Sequence, residues 1–166
     1  EYADGGTGIG DALGDNYAGS LTVSLWFNWD TTGSDEGVFE IGSFDGTANG
    51  PVNIIFLNTG AIWFRLNGNV WRREVAFTDT GNWHHLACVY TTGNEANSKM
   101  YLDGVSVGST VGTFPSSADM DFDGLKTIIG GYYSTSFTFD GNIDEVGVWN
   151  SALTSAQIND IYNGGV

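Results

Sequence analysis

The segment that best identifies the fold lies near the C-terminus and reads FDGNIDEVGVWNSALTSAQINDIYNGG, residues 139–165. Its first half has the short apolar pattern of a β-strand and carries adjacent carboxyl groups at Asp144 and Glu145. Its second half predicts a helix, because Thr154 and Gln157 have the spacing of a capping box. The stretch therefore predicts a closing strand followed by one short helix.

Most of the remaining sequence is typical of β-strands. Residues 20–30, SLTVSLWFNWD, alternate in polarity and predict one apolar strand face made of Leu21, Val23, Leu25, Phe27 and Trp29. Two-residue hairpin turns are predicted at Asn67-Gly68 and Asp103-Gly104, because both positions of such dipeptides tolerate positive φ angles. About ten short strands without intervening long helices predict an all-β sandwich or barrel.

The length of 166 residues fits a single domain over residues 1–166. The 20 acidic side chains against 5 lysines and arginines give a net charge of −15, which disfavours nucleic acid as a partner and is compatible with calcium binding. No apolar run approaches the roughly 18 residues of a membrane span. The lone cysteine, Cys88, has apolar neighbours and predicts a buried thiol without an intrachain disulfide.

Three segments together resemble the laminin G-like jelly-roll family, within the concanavalin A-like lectin/glucanase superfamily. They are GNWHHLACVY at residues 81–90, KMYLDGVSVGS at residues 99–109, and the segment that begins IIGGYY at residue 128 and ends at residue 162. The resemblance implies an all-β jelly-roll sandwich with two antiparallel sheets and one short C-terminal helix. It leaves the ligand open, because fold does not determine function.

Catalysis is not expected from the acidic residues of the closing strand. Related sandwiches that cleave β-glucans carry two glutamates around an aspartate on one strand, where alternation aims the carboxylates into a cleft. Here Asn142 takes the place of the first glutamate. Asp144 and Glu145 are adjacent and would point to opposite faces of a regular strand, so the sequence predicts no hydrolase.

The two histidines also predict no catalytic or metal site. His84 and His85 are adjacent, so they would point in opposite directions on a strand, and no acidic residue lies within four positions of them. The resemblance implies that this segment is structural, with Trp83 packed and one histidine bonded to the backbone inside the sandwich.

Calcium is the one cofactor that the sequence suggests. The segment DGTANG, residues 45–50, is spaced like the front of an EF-hand loop, but Phe56 stands where a bidentate glutamate is needed. The resemblance instead implies a calcium ion at a sheet edge, held by Asp144 with Asp4 as its partner. The alternative is that Asp144 accepts hydrogen bonds from turn amides.

Sugar binding requires exposed aromatic rings near planar polar groups. The predicted hairpin IWFRLNGNVWRRE, residues 62–74, concentrates tryptophans and arginines, and a second aromatic cluster occurs in the predicted loop GGYYSTS. The candidate ligand-binding residues are Trp63, Arg65, Trp71, Arg73, Tyr132 and Tyr133. The alternative is that the tryptophans fill the core and the arginines pair with nearby acids.

These observations predict a noncatalytic recognition module that acts outside the cell, on the cell surface or on a virion, and binds a glycan or cell-surface polysaccharide. The alternative is a structural subunit of a fibre, filament or virion that contacts neighbouring subunits or surface proteins. The first residues lack a basic segment followed by an apolar stretch, so no signal peptide is predicted within this chain.

Overall fold

The structure is a computed structural model, and the residues that it describes are 3–30, 33–42, 50–116, 120–131 and 137–164. Nearly all its regular structure is antiparallel β-sheet, as the alternating sequence pattern predicts. None of the described helices is long and apolar enough to cross a membrane.

The strands form two sheets. The seven-stranded sheet contains, in spatial order, β1 (Ala3–Asp4), β11 (Lys126–Ile129), β3 (Glu36–Gly42), β4 (Val52–Leu57), β5 (Ala61–Leu66), β6 (Trp71–Ala76) and β10 (Ser109–Gly112). The five-stranded sheet contains β12 (Gly141–Trp149), β2 (Leu21–Trp29), β7 (Trp83–Tyr90), β8 (Lys99–Leu102) and β9 (Val105–Val107). The predicted two-sheet jelly-roll sandwich is confirmed.

The core lies between the inner faces of the two sheets. The predicted apolar face of β2 is buried there, which confirms the prediction for Leu21, Val23, Leu25, Phe27 and Trp29. Buried residues from β3, β4, β5, β6, β7 and β8 belong to the same cluster, and Cys88 is a buried free thiol within it. Because side chains alternate along each strand, the intervening residues form the two outer faces.

The two predicted hairpin turns have different outcomes. Leu102 pairs with Val105, so Asp103-Gly104 is the expected two-residue turn with positive φ at both positions. At the other hairpin Leu66 pairs with Trp71, which leaves the four residues 67–70 in the loop. The prediction of a two-residue turn there is wrong, although Asn67 and Gly68 do have positive φ.

The helix α2 (Ser155–Gly164) follows the closing strand as predicted. The Thr154 amide donates to Gln157 Oε1 at 2.9 Å, and the Gln157 amide donates to Thr154 Oγ1 at 3.3 Å, so the capping box is present. A six-residue helix, α1 (Gly8–Leu13), was not indicated by the sequence. Short 3-10 turns occur at Asn67–Asn69 and Glu95–Asn97.

Candidate functional site

The outer face of the five-stranded sheet carries a group of aromatic side chains. Alternation along β2 and β7 places Trp26, Trp83 and His85 on this face. Trp26 stacks on Tyr162 of α2, with ring centroids 5.7 Å apart and ring planes inclined by 24°. His85 is buried beside these two rings, and its Nε2 lies 2.7 Å from Ser24 Oγ. The C-terminal helix therefore holds Trp26 in place.

β12 contains a β-bulge beside this aromatic group. Asp144 lies opposite Trp26, and the pairing register with β2 shifts between Asp144 and Gly147. Glu145 has a φ of 49°, which is uncommon for a residue with a side chain, and its amide donates a 2.8 Å hydrogen bond to Asp144 Oδ1. The bulge interrupts the alternation of side chains. Asp144 and Glu145 consequently line one cavity, so the expectation that they point to opposite faces is wrong.

The Trp26–Trp83 pocket is the cavity lined by Trp26, Trp83, Asp144 and Glu145. Its volume is about 270 Å³, and 47% of the surface of Trp83 is exposed. Aromatic walls with a few polar groups are typical of ligand sites. The pocket can therefore stack a flat ring on an indole and accept hydrogen bonds at two carboxylates.

Sequence comparison identifies the family. A profile of the concanavalin A-like lectin/glucanases superfamily, in its laminin G form, matches residues 4–159. The chain belongs to this superfamily. The match spans nearly the whole chain and confirms the laminin G-like resemblance of the sequence motifs. No curated protein matches the chain significantly.

Solved structures with the same fold come from proteins of different kinds. The heptameric SAP-like pentraxin from Limulus polyphemus aligns with a TM-score of 0.62 and 13% identity, over 87% of this chain and 70% of the pentraxin. The receptor-binding domain of botulinum neurotoxin mosaic serotype C/D aligns with a TM-score of 0.63 and 16% identity, over 90% of this chain and 37% of the neurotoxin chain. The NanB sialidase from Streptococcus pneumoniae aligns with a TM-score of 0.69 and 19% identity, over 97% of this chain and 26% of the sialidase. At these identities the likeness shows the superfamily fold alone.

The predicted ligand-binding residues of the hairpin lie on both faces of the seven-stranded sheet. Trp71 and Arg73 are on the inner face. Trp71 is fully buried, and its Nε1 donates to Glu95 Oε1 at 2.9 Å. It cannot present a ring face to a sugar, so its prediction as a ligand-binding residue is wrong. Arg73 shares the inner side, where its Nη1 donates to the carbonyl oxygens of Val107 and Gly108 at 3.4 and 2.8 Å. Arg73 therefore links β6 to the residues between β9 and β10, and its ligand-binding role stays a prediction.

The other half of the hairpin lies on the outer face of the seven-stranded sheet. Arg65 pairs with Arg72 across β5 and β6, and Trp63 pairs with Glu74. The guanidinium carbon of Arg72 lies 4.2 Å from the centre of the Trp63 ring, and Arg72 Nε donates to Glu74 Oε2 at 2.8 Å. Arg65 is only 7% exposed. This surface therefore brings Trp63 and Arg65 together, but its aromatic ring is less open than that of Trp83.

Asp4, which the resemblance implied as a calcium ligand, contacts neighbours in its own sheet. Asp4 Oδ2 lies 2.6 Å from Lys126 Nζ, and Oδ1 accepts a 2.8 Å hydrogen bond from the Gly6 amide. The Lys126 contact, with that of the Gly6 amide, lowers the pKa of Asp4. Asp4 lies in the seven-stranded sheet, Asp144 in the five-stranded one. Within the described ranges, no three His, Cys, Asp or Glu side chains form a group that could hold a metal ion.

Two parts of the sequence-predicted site fall outside the described residues. Tyr132 and Tyr133 are among them, and so are residues 45–49 of the segment that resembles an EF-hand loop. The ligand-binding role of the two tyrosines stays a prediction.

The histidines contact side chains instead of the backbone. His84 lies between two carboxylates, with Nδ1 2.7 Å from Asp103 Oδ2 and Nε2 3.1 Å from Asp79 Oδ2. Burial lowers the pKa of His85, so its ring is neutral at neutral pH. Trp83, which the resemblance implied to be packed, is exposed at the pocket. Because its ring lies between two carboxylates, His84 joins the loop at Asp79 to the turn at Asp103.

Trp26, Trp83 and Glu145 were not predicted from the sequence as parts of a site. A signal was available for Trp26, because the alternation of residues 20–30 places it on the face opposite the core. No local signal indicated Glu145, since its orientation depends on a bulge formed against β2.

Proposed function

We propose that this chain is a noncatalytic carbohydrate-binding module that binds a sugar in the Trp26–Trp83 pocket. The observation that carries the proposal is the exposed Trp83 indole beside two carboxylates in one cavity. A pyranose ring can stack its C–H face on an indole while carboxylates accept hydrogen bonds from its hydroxyl groups. The volume of about 270 Å³ is at the small end of ligand sites, which suits one or two sugar units.

Proteins with a similar fold support a glycan or protein partner. Cell entry of botulinum neurotoxin type C depends on interaction with two ganglioside molecules, and the binding domain of botulinum neurotoxin DC forms a complex with rat synaptotagmin II. This chain covers 36% of each of those chains. The proposed partners are accordingly a glycan, a cell-surface polysaccharide or a surface protein, met outside the cell or on a virion or cell surface.

The absence of catalysis belongs to the proposal and has a geometric basis. Glycosidases place two carboxyl groups on either side of the scissile bond, and the acid is kept protonated by its environment. Asp144 and Glu145 are adjacent in the chain and both exposed. We expect no new reducing ends when the protein is incubated with β-glucan or chitin oligosaccharides. Release of sugar that Glu145→Gln abolishes would contradict this.

Calcium enters the proposal through Asp144. Calcium takes six to eight oxygen ligands. The Trp26–Trp83 pocket supplies two carboxylates, so carbonyl, water or sugar oxygens would complete the shell. Isothermal titration with Ca²⁺ after EDTA treatment tests this, with Asp144→Asn as the sensitive variant and Asp4→Asn as its control. No heat and no shift in melting temperature would remove calcium from the proposal.

A glycan array probed with the isolated chain, with and without Ca²⁺, tests the main proposal. We expect a restricted set of glycans to bind above background and Trp83→Ala to lose that set. No binding above background in either buffer would end the carbohydrate proposal.

A second function, assembly with other protein chains, is favoured by the strand edges next to Gly108. The chain passes from β9, the last strand of one sheet, directly to β10, the last strand of the other. Exposed Val105 and Val111 lie on these two strands. Edge strands of this kind can accept a further strand from a partner. Sedimentation of a clean monomer at high concentration would argue against self-assembly.

A further inference from the structure

We propose that the Trp26–Trp83 pocket selects sugars that carry a protonated amino group, such as glucosamine units, over N-acetylated and acidic sugars. This inference rests on the proposed carbohydrate-binding function and names the class of ligand for the same site.

The charges that line the pocket are the first argument. Asp144 and Glu145 both contribute carboxylates to it. None of the five lysine and arginine side chains lines it, because four lie on strands of the seven-stranded sheet and the fifth, Lys99, lines a different cavity near the start of α2. The pocket lining therefore carries two carboxylates and no lysine or arginine. The net charge of −15 adds to the attraction.

The aromatic walls are the second argument. A cation within about 6 Å of a ring centre is attracted to the face of an aromatic side chain, and tryptophan gives the strongest attraction. The pocket combines two indoles with two carboxylates, which is the chemistry that recognises an ammonium group. Trp26 is held by its stacking on Tyr162, so one wall is fixed before a ligand binds. Trp83 is open to stack on the adjoining sugar ring.

The bulge is the third argument, because it produces the second carboxylate. A φ of 49° is uncommon for a residue with a side chain, and at Glu145 it occurs within the β-bulge. In a regular strand Glu145 would leave the pocket, and Asp144 alone would face the indoles. The register shift between Asp144 and Gly147 places both carboxylates at the cavity. Two carboxylates favour a positively charged amine over a hydroxyl group and repel an acidic sugar.

The test compares two ligands that differ at the amine. The probes are the β-1,4-linked trisaccharide of glucosamine and its fully N-acetylated counterpart, titrated by calorimetry and tryptophan fluorescence at physiological salt in EDTA, because Ca²⁺ at Asp144 would compete with the amine for the same carboxylates. Glu145→Gln and Asp144→Asn each remove one charge while keeping the side-chain shape, and the Asn oxygen can still accept from the Glu145 amide. Asp123→Asn is the matched control, because it removes one charge from an exposed residue that does not line the pocket.

We expect the amine-bearing trisaccharide to bind about tenfold more tightly than the acetylated one. Each pocket variant should weaken amine binding about fivefold, and Asp123→Asn should leave it unchanged. Circular dichroism and melting temperatures check that all three variants are folded.

The possible failures separate the two proposals. Equal affinity for both trisaccharides overturns the amine selection and leaves carbohydrate binding standing. Binding of other glycans through Trp83, with no binding of either trisaccharide, has the same consequence: it overturns the amine selection and leaves carbohydrate binding standing. A loss in Asp123→Asn equal to the loss in the pocket variants also overturns the inference, because it would show attraction by overall charge. If no sugar binds, both proposals fall.

Discussion

Replacement of Trp83 by alanine should separate ligand binding from folding, because the indole is open to solvent on its outer side. With 47% of Trp83 exposed, roughly 100 Å² of the side chain is available to a ligand. A sugar ring that covers about half of this area gains roughly 1.3 kcal/mol at 25 cal/mol per Å². Since about 1.4 kcal/mol corresponds to a factor of ten in Kd, Trp83→Ala should weaken sugar binding about tenfold.

The chain supplies a matched control in Trp63, which lies on the outer face of the other sheet. Its ring is half-buried and the Arg72 guanidinium lies 4.2 Å from its centre. Trp63→Ala removes the same side chain from a surface that the Trp26–Trp83 pocket does not include, so it should leave affinity unchanged. Both variants should be titrated with the tightest glycan from the array.

The two variants give a clear contrary outcome. If Trp63→Ala abolishes binding and Trp83→Ala does not, the ligand site lies on the hairpin face with Arg65 and Arg72. If neither variant changes the affinity, ring stacking on these two tryptophans does not contribute, and the reasoning from indole exposure is refuted.

The remaining predictions concern stability. Trp71→Ala should lower the free energy of unfolding by about 3–5 kcal/mol, because it empties a fully buried site; guanidinium denaturation measures this, and a loss below about 1 kcal/mol would contradict the burial of Trp71. Burial lowers the pKa of His85 in the folded protein, so the unfolded chain takes up a proton more readily and the free energy of unfolding should fall as pH drops below about 6.5. His85→Gln should flatten that part of the stability curve relative to the wild type, and unchanged slopes would count against the buried neutral imidazole.

Local rules were sufficient where neighbouring residues decide the outcome. The alternation of residues 20–30 predicted the buried face of β2, since successive side chains on a strand always point to opposite sides. Asp103-Gly104 and the Thr154–Gln157 capping box were predictable because their hydrogen bonds and φ angles involve residues within a few positions of each other.

The candidate site was less predictable, because strand register and exposure depend on distant partners. Trp71 and Trp83 each begin a strand, and the sequence does not show whether their side chains point into the core or to solvent. Trp71 pairs with the buried residue Leu66, so its side chain points into the core. The side chain of Trp83 points to the outer face of its sheet, where it is partly exposed. The longer loop at residues 67–70 also decided which arginines share a face with Trp63.

Sequence patterns alone were enough to predict the superfamily, the two-sheet sandwich, the core face of β2 and the capped C-terminal helix. The tertiary structure decided where a ligand could bind. Asp144 and Glu145 are neighbours that a regular strand would separate, and only the bulge against β2 brings them to one cavity with Trp26 and Trp83. The physical reason is that a bulge arises from pairing between strands more than a hundred residues apart, so no local pattern encodes it.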